Sequence, residues 1–150
     1  MSDHFLPATD ERVPARTSAL SNDRIQARTL HGIARYCGAD DETLTQRIRE
    51  LEREWDVERI IEAHAGSVSL LGLVLGVTVD RRFLALPFAV SAFLVLHALD
   101  GLYPPLTVMR RLGVRTSGEI HREILALRIL RGDFIERPVY PESLLAAATR

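Results

Sequence analysis

Scanned for the spacing of apolar and polar positions, the chain changes character repeatedly. Residues 1–20 scatter Pro7, Pro14 and polar side chains with neither a helical nor a strand period, which predicts a disordered arm. A helical period then sets in. NDRIQARTLHGIARYCG puts Ile25, Thr29, Ile33 and Tyr36 or Cys37 on one face, behind a Ser-Asn-Asp start signal and ahead of Gly38 as a stop. Asp40-Asp41 opens a second helix, in which Leu44, Ile48, Leu51 and Trp55 recur at four- and three-residue steps; such a stripe needs a partner helix. Arg47, Arg49, Glu50, Glu52 and Arg53 lie opposite it as solvated surface. Residues 21–57 therefore read as a helical pair that runs unbroken into the next block.

From Ile60 the polar face disappears. IIEAHAGSVSLLGLVLGVTV is 20 residues long and FLALPFAVSAFLVLHAL is 17, parted by Asp80-Arg81-Arg82. Crossing the hydrocarbon layer takes about 20 apolar residues, so the first run suffices and the second does if Asp100 and Leu102 sit at the interface. Helices apolar on every side belong in lipid or deep in a large protein, and the remainder of this chain is too small and too charged to wrap two of them. The expected fold is all-α: a two-span transmembrane helical hairpin over 58–103, with spans near 60–79 and 83–102 and cytoplasmic amphipathic helices on both sides. Pro104-Pro105 closes the block. LTVMRRLG then reads as a short interfacial turn of helix ended by Gly113. Thr116-Ser117-Gly118-Glu119 has capping-box spacing and starts a helix that stops at Gly132, with Ile120, Ile124, Leu127 and Leu130 or Ile129 packing on the N-terminal helices. That segment covers 104–134, and 135–150 reads as a tail.

Composition changes this picture only through its segregation. All 19 basic residues are arginine; 17 of them, and 17 of the 20 acidic residues, lie outside Ile60–Leu102. Arg47, Arg49, Arg53 and Arg59 precede the first span and Arg110, Arg111, Arg115 and Arg122 follow the second, against Arg81 and Arg82 in the loop. Both ends are thereby expected in the cytoplasm of a bacterial inner membrane. Trp55, Tyr103, Arg110 and Arg111 stand where interfacial anchors belong. The opening MSDHFLPATDER lacks a basic stretch followed by an apolar one, so insertion by an internal segment is expected rather than a cleaved signal.

REWDVERIIEAHAG before the first run, and HALDGLYPPLTVMRRLGVRTSGEIHREILALRILRGDF after the second, resemble the YgaP-like inner-membrane domain family of bacteria over about residues 50–134. The resemblance implies a two-span helical domain, standing alone or fused to a sulfur-transferring rhodanese domain, that tends to self-associate and has no established activity of its own. Where the family often carries Cys-Pro at the exit of the second span, this chain has Tyr103-Pro104. No active-site loop surrounds Cys37, so sulfur transfer by this chain alone is not expected.

Two constellations carry chemistry. Ala65, Ser69, Gly72 and Gly76 form a small-residue strip, a GxxxG pattern that lets helices approach closely in lipid, either the second span or a second copy. Glu62 and His64 enter the first span at the depth where His97 and Asp100 leave the second; they are candidate metal ligands or a proton relay, with an interfacial belt the preferred reading. The single cysteine, Cys37, excludes an intrachain disulfide and a CxxC framework and reads as a small buried hydrophobe. Ile33-Ala34, Gly38 and Leu44 fit part of a helix-turn-helix, yet Asp40, Asp41 and Glu42 would open its recognition helix, and residues 1–57 hold 8 basic against 11 acidic residues, signs that repel DNA.

The function expected is scaffolding or protein interaction by a small integral inner-membrane protein. It is expected to be no enzyme, to carry no cofactor, catalytic residue or assigned metal, and to bind no nucleic acid. Its partners would be membrane lipid, further copies of itself and a protein at the cytoplasmic helices. The alternatives are an accessory to sulfur or metal handling through the polar cluster, and a soluble helix-turn-helix DNA-binding protein.

Overall fold

The computed structural model describes residues 8–134, and among them all regular structure is helical. In chain order these are α1 (Arg12–Ala15), α2 (Ala19–Arg35), α3 (Asp41–Glu52), α4 (Val57–Thr78), a 3-10 turn (Arg81–Leu84), α5 (Ala85–Asp100), α6 (Leu106–Arg111) and α7 (Ser117–Arg131). The helices divide between two compact units, and the division falls inside α2. The first unit is the described part of Met1–Ile25 with Trp55–Ser117; the second is Gln26–Glu54 with the described part of Gly118–Arg150. Residues 21–57 are thus not one domain, and neither are 104–134. The tail expected over 135–150 lies outside the described residues.

In the first unit, two helices are long and apolar enough to cross a membrane by length and composition: α4, of 22 residues, and the 20 residues Arg81–Asp100. They pack in opposite directions. A Cβ on Gly72 would stand 2.6 Å from Pro87 Cδ and 2.8 Å from Leu86 Cβ, and one on Gly76 would stand 2.5 Å from Leu84 Cδ2, so the small residues are what permit the approach. Pro87 is tolerated because it lies in the first turn of α5, where no carbonyl one turn back awaits its missing N–H. Gly101, at φ 74°, closes α5 in the left-handed conformation.

Three sequence expectations fail in this unit. The break before α4 is real: Asp56 accepts a hydrogen bond from the Arg59 N–H at 2.8 Å, and the Val57 N–H donates to Arg115 O at 2.9 Å, so α4 has its own cap rather than continuing α3. Trp55 accordingly leaves the stripe of α3 and is exposed. The disordered arm expected over 1–20 is corrected for its described part. Val13 in α1 is 1% exposed, packed among Val57, Ile61, Tyr103, Leu106 and Met109, and burial of that valine contributes toward the entropy of ordering the segment, together with the hydrogen bonds of Arg12 and Arg16.

The second unit is a small helical core. Leu44, Ile48 and Leu51 of α3 meet Ile120, Ile124 and Leu127 of α7, with Tyr36 and Ala39 against them. Asp40 caps α3; the hydrogen bond from the Thr43 N–H, at 2.7 Å, holds its carboxyl below the usual carboxylate range. Gly38 stops α2 as expected, by its φ of 84°, but no atom lies within 4 Å of where its Cβ would be, so it is a turn glycine and not the tight crossing of a helix-turn-helix. Cys37 is exposed, not buried. Ile129 and Leu130 are exposed too; the buried face of α7 ends at Leu127. Arg47 is no solvated charge: it pairs at 3.0 Å with Glu123, which is 1% exposed.

Candidate functional site

The polar groups of the first unit gather where the start of α4 meets the end of α5. Tyr103, two residues past the Gly101 cap, turns its phenol inward and is buried. Its hydroxyl and His64 Nδ1 share a hydrogen bond of 2.6 Å, whose direction follows the histidine tautomer. The rings of His64 and His97 both meet the phenol edge-on, with centroids 5.9 Å and 6.0 Å away.

His97 is 6% exposed, and neither ring nitrogen has a hydrogen-bond partner among the described residues. Two further buried polar atoms of this unit share that condition, Arg12 Nε and Glu58 Oε2. Arg12 is held over the end of α5 by donating from Nη1 to Ala98 O at 3.2 Å. Arg16, one turn later, donates from Nε to Asp100 O at 3.2 Å and forms an ion pair with the Asp100 carboxylate.

The four residues considered as metal ligands separate. His64 and His97 do converge, through Tyr103. Glu62 is exposed: residues two apart on an α-helix point about 200° from each other, so Glu62 and His64 cannot face one neighbour. Asp100 is taken by Arg16. No group of three or more His, Cys, Asp or Glu placed to hold a metal ion occurs among the described residues.

The anchors divide similarly. Trp55 is 57% exposed, with the Arg59 guanidinium 6.0 Å from its ring centroid, and Arg111 is exposed. Tyr103 and Arg110 are corrected to interior residues. Arg110 is 1% exposed and donates to Thr17 Oγ1 at 3.1 Å, Asn22 Oδ1 at 2.9 Å and Val114 O at 3.0 Å. Neighbours on a helix diverge by about 100°, so one arginine of the pair points in and the other out. Of the small-residue strip, Ala65, Gly72 and Gly76 are buried and Ser69 is half-buried. Both glycines are covered by the chain's own Phe83–Pro87, which fills the place a second copy would take.

Periodicity did not find Arg12, Arg16, Glu58 or the inward turn of Arg110. A signal was present: Arg12 and Arg16, one helical turn apart, flank Val13 in a segment otherwise read as an arm.

Fold and site together define an all-helical protein with two helices suited to a membrane by length and composition and, at one end of that pair, a polar cluster whose buried members are His97 and Tyr103. No family model matches the chain, and no curated protein or solved structure is found similar to it.

Proposed function

We propose that this chain is a small integral protein of the bacterial inner membrane, a two-span hairpin of α4 and residues 81–100, whose role is scaffolding or protein interaction rather than catalysis. One observation carries the reading. In the most apolar stretches of the two long helices, 22% of the first and 11% of the second is buried within the protein. The core helix of a soluble protein hides most of its apolar surface, whereas here Leu70, Leu71, Val74, Val77, Phe88 and Val95 point away from all described protein. Lipid is the solvent in which that arrangement is stable.

The distribution of arginines supports cytoplasmic termini, and the resemblance to YgaP-like domains supports self-association without an activity of its own. Because Gly72 and Gly76 are used inside the chain, oligomerisation is assigned to the outward faces of α4 and α5 and not to the glycine strip. The test is an alkaline wash of isolated membranes. Retention of the protein in the washed pellet is expected; release into the supernatant would overturn the reading.

A further inference from the structure

We propose that the end of the hairpin where α4 begins and α5 ends selects anionic phospholipids, through two exposed arginines, Arg111 of α6 and Arg59 of α4, each set beside exposed apolar side chains. The inference rests on the membrane reading above and names the lipid it prefers.

Most of the selectivity is assigned to α6. Leu106, Met109 and Arg110 turn into the unit and are buried. Val108, Arg111 and Leu112 fall on the opposite side of the turn, with Val108 57% and Leu112 76% exposed. The segment is also one-sided in charge. Between Gly101 and Gly118 there is no acidic residue, and of the three arginines there Arg110 and Arg115 are each 1% exposed, so Arg111 presents the outward charge. Its guanidinium makes no hydrogen bond or ion pair with any described residue. Water would satisfy that cation but not the two large apolar side chains beside it. The boundary between lipid phosphates and acyl chains satisfies both.

The second contact lies at the same end of the pair. Val57 and Ile61 of α4 pack with Leu106 and Met109, and the Val57 N–H donates to Arg115 O at 2.9 Å, which holds α6 beside the first turns of α4. Arg59 is two residues from Val57 and two from Ile61, about 200° around the helix, and stands on the flank turned away from α6. There its guanidinium lies 6.0 Å from the centroid of the exposed Trp55 ring and has no acceptor among the described residues. Glu62, exposed one turn later, offsets part of its charge, so Arg59 is assigned the smaller share. The two arginines thus flank one end of the hairpin and do not line a single pocket. A guanidinium offers paired N–H donors to phosphate oxygens. A zwitterionic headgroup brings its own cation to that phosphate, whereas an anionic one leaves the negative charge for the arginine.

Tryptophan quenching in vesicles tests this. The chain has one tryptophan, Trp55, which reports the Arg59 flank; Leu112→Trp in a Trp55→Phe background reports the Arg111 flank. Each full-length protein is reconstituted in phosphatidylcholine containing a minor share of phosphatidylglycerol, with one lipid or the other brominated on its acyl chains. At low salt, phosphatidylglycerol should be preferred roughly fivefold beside α6 and less strongly beside Trp55. Arg111→Gln should abolish the first preference and leave the second; Arg59→Gln should do the reverse; Arg111→Lys should keep both, since charge is what discriminates. Arg111 is exposed and touches no described polar group, so these changes leave the fold intact. Equal quenching by the two lipids in the parent, or a preference beside α6 that survives Arg111→Gln, would overturn the proposal while the membrane reading stands. A flank quenched by neither lipid would mean that a second copy or another protein covers it, and would overturn it as well. Release of the chain in the alkaline wash would instead sink the membrane reading, and this inference with it.

Discussion

The two units solve the burial problem in opposite senses. In the second, Leu44, Ile48, Leu51, Ile120, Ile124 and Leu127 are inside while the arginines and carboxylates stand mostly at the rim, as water requires. In the first, Val13, Val57, Ile61, Tyr103, Leu106 and Met109 form a core as well, yet leucines, valines and phenylalanines of the long helices face outward while Ser21, His97, Arg110, Arg115 and Thr116 are buried. The second unit hides most of its large apolar side chains, whereas the long helices of the first leave many of theirs exposed. Polarity alone therefore does not say which side chains hold a unit together.

The sharpest way to break that contrast is to make one kind of truncation in both units. Leu127 is 0% exposed between α3 and α7, so Leu127→Ala should destabilise the second unit by about 3 kcal/mol, through lost transfer energy and the cavity left behind. Val77 is 83% exposed, and Val77→Ala should leave stability in detergent within about 0.5 kcal/mol of the parent. Chemical denaturation of both variants checks this. A large loss in Val77→Ala would mean that the outward face of α4 is packed on protein after all.

A smaller effect tests what holds α4 against α5. Beside the core around Val57 and Ile61, the close approach of the backbones at Gly72 and Gly76 holds α4 against the start of α5. Gly72→Ala would drive a methyl into Pro87 Cδ and Leu86 Cβ, atoms that cannot swing aside, at a cost of about 1–3 kcal/mol. At Gly76 the obstacle is the flexible end of Leu84, and the same change should cost less. Gly66 has nothing within 4 Å of a new Cβ, so Gly66→Ala should be neutral or stabilising by up to about 1 kcal/mol, as helix propensity favours alanine. Thermal unfolding in detergent should rank the three in that order; equal losses would mean that the glycines are not contact points.

Those glycines also mark how far the sequence could be read. The small-residue strip, the two long apolar helices and the glycine stops at Gly38, Gly113 and Gly132 were legible because each is a local consequence of spacing or of positive φ. The cluster around His97 was half legible. Depth along an antiparallel pair brings His64 and His97 together, but Glu58 and Glu62 share a face one turn apart, and spacing alone does not say that the first is half-buried and the second exposed. Arg12 was not legible at all. A short proline-containing segment carries no period, and its order comes from Val13 meeting residues more than 40 positions away. The pairing of Arg47 with Glu123 escaped for the same reason: an arginine on the polar side of one helix looks solvated until another helix covers it.

The smallest effect expected belongs to charge at the rim of the second unit, and its sign can be worked out. Arg131 binds both carboxylate oxygens of Asp133, at 2.8 Å and 2.5 Å, and also donates to Thr45 Oγ1 at 2.7 Å, so its guanidinium, like that of Arg128 on Glu52, ties the end of α7 to α3. The hydrogen bonds from Arg131 hold the Asp133 carboxyl below its ordinary range. A group lowered on folding adds stability that is fully present above its unfolded pKa, about 3.9 for aspartate, and is lost as pH falls through the lower folded value. At neutral pH, Asp133→Asn should therefore be less stable than the parent, by under about 1 kcal/mol because the pair borders solvent and is screened. Once the pH has fallen through that lower folded value the difference should vanish, since the parent carboxyl is then protonated and no better a partner than an amide. Paired melts at the two pH values decide the matter. A gap that persisted in acid would show that Asp133 acts by shape, with the tie of Arg131 to Thr45 holding α7 on α3 regardless of charge.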